Sequence, residues 1–227
     1  MRIRWRNFEL PSSVEVEQDS ATDTYAMFHI EPFEKGFGHT IGNGLRRCLL
    51  SSIEGTAVTS VRIEGVEHEF TTIPGVMQDV VEVVLNLKGL LISIEDGDDV
   101  ELTVSRSKKG DMTAGEIKCP AGVSVLNPDH VICTLTDDTE VSMSLTASRG
   151  RGYVVADEHE EFADQLGTIA IDSNFSPVVR VRYRVEETRV GKMTNYDRLV
   201  LEVWTDGTVT AEDSLVEASR IFRKHLN

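Results

Sequence analysis

Two glycines inside a helical period constrain this chain more than any other feature. In the run Gly36-Phe-Gly-His-Thr-Ile-Gly-Asn-Gly-Leu-Arg-Arg-Cys-Leu-Leu-Ser-Ser-Ile53, the residues Ile41, Leu45, Cys48, Leu49 and Ser52 share one side of a helix. Gly42 and Gly44 each weaken such a helix by about 1 kcal/mol relative to Ala. Keeping both predicts that another backbone passes close to that face. Arg46 and Arg47 point about 100° apart, so only one can lie near the apolar seam and the other is free for a partner. The same glycines imitate a dinucleotide fingerprint, but Gly36, Gly38 and Gly42 are spaced G-x-G-x-x-x-G rather than G-x-G-x-x-G. Pro32, just upstream, also argues against the central parallel strand that a nucleotide-binding fold needs.

The charge balance narrows the partners. Among 227 residues, 23 Lys and Arg face 38 Asp and Glu, a net charge of −15. So acidic a chain repels phosphate and predicts no broad nucleic-acid surface. Cys48, Cys119 and Cys133 are an odd number without a C-x-x-C, which reads as buried thiols in a reducing compartment rather than a disulfide framework or zinc site. No apolar h-region follows the basic run Arg2–Arg6, and no apolar run approaches the roughly 18 residues of a membrane span, so a cytoplasmic protein without a membrane partner is expected.

Taken in order, Ser13 to Gln18 and Tyr25 to Ile30 read as strands, and a helix over 38–53 stops at Gly55. Val58 to Glu64 alternates as a strand. Val76, Val80, Val83, Val84 and Leu87 mark an amphipathic helix started near Thr72 and Pro74 and closed by Gly89. Short strands follow at Leu91–Glu95, Val100–Ser105, Val131–Thr136, Val141–Ala147 and Thr168–Ile171, separated by turns at 96–99, 108–111, 127–129 and 137–138. Then Val179, Val181, Tyr183 and Val185 alternate with Arg180, Arg182 and Arg184, a strand with one buried face. Asn195–Asp197 and Asp206-Gly207 bracket a strand at Leu199–Trp204, and a last helix starts at Thr210, whose hydroxyl can cap the Asp213 amide. The fold class expected is α+β in two subdomains. Segments 1–54 and 178–227 form one from strands and two amphipathic helices, and 55–177 form a strand-rich insert. The helix seams Ile41, Leu45, Leu49 and Leu215, Phe222, Leu226 exceed what one small sheet can cover, which predicts a homodimer.

Catalytic chemistry is not evident. His39 has no nucleophile with a recognisable elbow, and His68 lies between Glu67 and Glu69, whose side chains point elsewhere. Asp157-Glu-His-Glu-Glu161 reads as a solvated charge run rather than a metal site. No catalytic, cofactor-binding or metal-binding residue is therefore assigned. Arg149-Gly-Arg-Gly-Tyr153 has the form of an RNA-binding Arg-Gly element, yet two arginines are a thin footprint in this chain. A docking loop, with Arg149 and Arg151 forking onto carboxylates and Tyr153 as anchor, suits the composition better.

The run from Glu31 to Ser52 resembles, nearly residue for residue, the N-terminal domain of the bacterial RNA polymerase alpha-subunit family. Val84–Leu90, His130–Thr136, Arg149–Val154 and Phe175–Val178 extend the likeness over the whole chain. The resemblance implies a homodimer that serves as the assembly platform for the beta and beta-prime subunits in transcription, a non-catalytic part of a nucleotidyltransferase. It implies a dimer interface of four helices, and contacts to the large subunits at Arg47, Leu50 and Lys88, with Arg149, Arg151 and Tyr153 as further contact candidates. Family members continue into a helical DNA-binding domain, which the resemblance places after Asn227 and outside this chain. The alternative from a different class is an acidic dimeric adaptor or regulator unconnected to transcription.

Overall fold

A computed structural model describes residues 8–95, 97–159, 162, 165–191 and 193–226. Arg2–Arg6, Asp96, Glu160 and Glu161, on which some of the readings above fall, lie outside the described residues. In chain order the elements are β1 (Ser13–Val16), β2 (Tyr25–Glu34), α1 (Phe37–Ser51), β3 (Glu54–Ile63), α2 (Val80–Leu87) and β4 (Ile92–Ile94). There follow β5 (Asp99–Arg106), β6 (Gly110–Thr113), β7 (Val123–Val125), β8 (Val131–Leu135), β9 (Val141–Arg151) and β10 (Tyr153–Val154). Next come β11 (Thr168–Ala170), β12 (Ser173–Asn174), β13 (Val178–Val190), β14 (Met193–Thr205) and α3 (Ala211–Leu226). The architecture is α+β, and it divides into two compact units, Met1–Ile53 with Pro177–Asn227, and Glu54–Ser176.

In the first unit an antiparallel sheet runs in the order β1-β2-β14-β13, with α1 and α3 against one face. Period-two alternation selects that face: Ala26, Phe28 and Ile30 of β2 and Leu199, Leu201 and Val203 of β14 meet Leu45, Leu49, Leu215 and Ala218 of the helices. The opposite face is polar and charge-paired, with Arg184 3.0 Å from Glu202 and Arg198 2.8 Å from Glu31. The expected cap on α3 is present, the Thr210 hydroxyl oxygen accepting from the Asp213 amide at 3.1 Å.

The register of this unit extends one expected strand and corrects two readings. β2 runs past Ile30 and through Pro32 to Glu34, antiparallel to both neighbours: pairing with β1 stops at Glu31, and the pairing with β14 slips between Asp197 and Leu199. A bulge thus takes the residue that has no N–H to donate. A second slip lies between Val178 and Arg180, turning Val178 inward (3% exposed) and Val179 outward (67%), so Val179 leaves the apolar row. Asn195–Asp197 is no turn but part of β14, paired to β13 and, from Tyr196, to β2.

The second unit has a sheet ordered β11-β3-β9-β5, with the pairs β4–β7, β6–β8 and β10–β12 around it. Its core joins Val80, Val83 and Leu87 of α2 to Val61, Leu102, Ile132, Leu135, Met143 and Leu145. The α2 helix is shorter than its apolar spacing predicts. Val76 instead bridges Leu135 as extended chain after Gly75 (φ +78°), and the helix begins where the Asp79 carboxylate accepts from the Glu82 amide at 2.7 Å. The expected turn at 108–111 gives way to β6 from Gly110 onward, paired with β8. Cys133 is buried in this core, which pushes its thiol up to about 11, while Cys48 and Cys119 are only half-buried.

Candidate assembly surfaces

Helix α1 starts on Gly36 at φ +89° and has no capping side chain of its own. The cap comes from across the sheet. Asp197 of β14 accepts from the Gly36 amide at 2.7 Å and the Gly38 amide at 3.3 Å, placing a carboxylate at the positive end of the helix. The close approaches foreseen at the inner glycines are made by side chains rather than backbone. A Cβ on Gly42 would lie 2.7 Å from the Tyr183 ring and 2.8 Å from Leu199, and one on Gly44 2.7 Å from the Phe222 ring. The glycines thus let α1 lie on the sheet and against α3.

The arginine pair behaves differently at its two members. Arg46 donates from Nε to the Val181 carbonyl at 3.4 Å. Arg47 is exposed, and its guanidinium has no hydrogen-bond or ion-pair partner among the described residues. Leu50 beside it is half-buried. Of the six seam residues, Leu45 (4% exposed), Leu49 (0%) and Leu215 (6%) are already covered by the chain's own core. The seams are therefore less surplus than the helical period alone suggests, because β2 and β14 present a continuous apolar face to them. Ile41 and Phe222 are half-buried, and Leu226 is 70% exposed. Leu10, Val14, Val216 and Leu226 are exposed apolar residues, and Val14 and Val216 line, with Ile30, Leu215, Ser219, Arg220 and Arg223, a groove of about 410 Å³.

In the second unit the contact candidates separate. Lys88 donates to Asp172 Oδ2 at 2.9 Å, while Asp172 Oδ1 accepts from the Ala156 amide at 2.9 Å. The Lys88 hydrogen bond, then the Ala156 amide, hold the Asp172 carboxyl below its ordinary range. Arg149 turns inward, its Nη2 donating to the Ile94 carbonyl and, at 2.8 Å, to that of Glu95. Gly150 between the arginines leaves room for the Phe175 ring, 2.8 Å from where a Cβ would stand. Arg151 and Tyr153 are exposed. Near Lys88 the structure adds apolar residues that were not singled out: Phe70 (79% exposed), Val81 (38%) and Leu85 (58%). Val81 and Leu85, one turn apart and opposite Val80, Val83 and Leu87, were readable from the helical period; Phe70 and Asp172 carried no such signal.

His39 packs edge-on against Tyr183 with ring centres 6.2 Å apart. Ser173 Oγ lies 3.3 Å from His159 Nε2, but this hydroxyl is buried and also 2.9 Å from the Val58 and Ile171 carbonyls, a structural arrangement. Among the described residues no group of three or more His, Cys, Asp or Glu can hold a metal ion, and no helix is long and apolar enough to cross a membrane.

Comparison with known proteins adds the lineage. Residues 61–176 match the family described as RNA polymerase Rpb3/RpoA insert domain. The chain is 54% identical over its whole length to the DNA-directed RNA polymerase subunit alpha of Rhodopirellula baltica, covering 69% of that protein. It is 45% identical over 98% of its length to the subunit alpha of Oleidesulfovibrio alaskensis, and 47% identical over 98% to that of Nitratidesulfovibrio vulgaris, covering 64% of each.

Proposed function

The chain belongs to the alpha-subunit family of bacterial DNA-directed RNA polymerases, a nucleotidyltransferase complex, and we propose that it is a non-catalytic assembly module of that cytoplasmic enzyme. It homodimerises, and the dimer receives the beta subunit on one copy and the beta-prime subunit on the other. The unit holding α1 and α3 is the dimerisation subdomain, and Glu54–Ser176 is the insert. The groove along α3, with exposed Val14 and Val216 in its lining, favours a second copy, as do exposed Leu226 at the end of α3 and half-buried Ile41 and Phe222. An obligate interface of this kind buries on the order of 2,000 Å² or more. The net charge of −15 argues against direct nucleic-acid binding. No observation favours an adaptor unconnected to transcription.

The observation that carries the recruitment part is Arg47, an exposed guanidinium on α1 with no partner among the described residues. A guanidinium is suited to fork onto a carboxylate or a set of backbone carbonyls of a large subunit. Losing a surface ion pair costs about 0–1 kcal/mol, whereas losing a desolvated partner costs about 2–5 kcal/mol of binding. Arg47→Ala is therefore expected to keep the dimer and its Tm while losing most affinity for the beta subunit. Co-purification with beta at wild-type yield refutes this role, and collapse to monomer moves Arg47 into the dimer seam.

A further inference from the structure

Lys88 ends α2, and its ammonium reaches Asp172 just beyond β11 rather than open solvent. The second oxygen of Asp172 holds the Ala156 amide, the first residue of a short turn that follows β10. One carboxylate thus ties the end of α2 to the segment that carries Tyr153 and Val155, both exposed. Across this junction lies a cleft of about 240 Å³ bounded by Phe70, Val81, Leu85, Lys88, Ala156 and Asp172. Lys88 and Asp172 are paired within the chain, whereas Phe70, Val81 and Leu85 stand open.

We propose that Lys88 is a positioning residue: through Asp172 it latches the Tyr153–Glu158 segment beside the open apolar face of α2, so that the two sides of the cleft present one surface to a large polymerase subunit. This rests on the reading that the chain docks such a subunit. It assigns Lys88 a task different from direct contact. An ammonium already paired and two-thirds covered has little left to offer a partner, with side-chain exposures of 31% for Lys88 and 35% for Asp172. The pair is also too exposed to contribute much to global stability. Its effect is local order, which amide exchange reads directly.

The test compares Lys88→Met, Lys88→Arg, Asp172→Ala and the Lys88→Met/Asp172→Ala double variant in the full chain. In the chain alone, the Ala156 amide is expected to exchange at least about tenfold faster in Asp172→Ala, since its acceptor is gone. It exchanges several-fold faster in Lys88→Met and near the wild-type rate in Lys88→Arg, with β9 amides unchanged in all. Retention of the large subunits on immobilised chain falls in Lys88→Met and Asp172→Ala, and the double variant is no worse than the poorer single, because both act on one device. An unchanged Ala156 rate in Lys88→Met overturns the latch. So does full retention in Asp172→Ala alongside loss in Lys88→Met, the signature of direct contact by Lys88. If wild-type chain retains neither large subunit, the docking reading fails on that result, and the exchange rates still decide the latch.

Discussion

Replacing Asp197 with Ala tests whether the first helix is held in place by the last strand. Asp197 is 8% exposed and receives the Gly36 amide at 2.7 Å and the Gly38 amide at 3.3 Å. A hydrogen bond to a charged group contributes about 1.5–3 kcal/mol, and a long one nearer 0.5–1 kcal/mol. Gly38 is buried, so water cannot easily replace the lost acceptor. The expected loss is about 2–4 kcal/mol, which for a chain of this size lowers Tm by roughly 5–15 °C. Asp197→Asn keeps one carbonyl oxygen at the same place and forfeits mainly the charge at the helix end, so it should lose less than half as much. Both variants are melted beside wild type at one protein concentration, because self-association would otherwise shift Tm by mass action. A wild-type Tm for Asp197→Ala, or an equal loss in both variants, refutes the reasoning.

Gly42→Ala should destabilise in denaturant titration, because the added carbon meets Tyr183 and fully buried Leu199, at about 1–3 kcal/mol before the roughly 1 kcal/mol helix gain is returned. Gly44→Ala should cost less, since it meets the half-buried Phe222 ring rather than a fully buried side chain. Leu49→Ala should cost about 2–5 kcal/mol by opening a core cavity, whereas Leu226→Glu, at a position 70% exposed, should leave the fold intact and shift light scattering toward monomer. Stability should also fall in acid. The Arg198 hydrogen bond, then that of Thr188, hold the Glu31 carboxyl below the ordinary carboxylate range, so its contribution is present above that range and is lost as pH falls through the lower folded value. Denaturation at pH 7 and about pH 3 should show a smaller acid loss in Glu31→Gln; an equal loss removes Glu31 from the account.

Family, fold class and much of the helix chemistry were legible from residue order alone, because they rest on local rules. The alternation along β13 from Arg180 onward, the cap at Thr210 and the apolar period of α1 depend on neighbours within a few residues. Only the folded chain decided where those local rules bend. Pro32 sits in a strand because a distant strand slips register opposite it, and Val179 faces water for the same kind of reason. Asp197 caps a helix 159 residues away, and Asp172 joins Lys88 to Ala156, pairings that no spacing announces. The arginine pair shows the division most directly. The helical period dictates that Arg46 and Arg47 diverge, but only the β13 carbonyl of Val181 decides which one is engaged and which is left open.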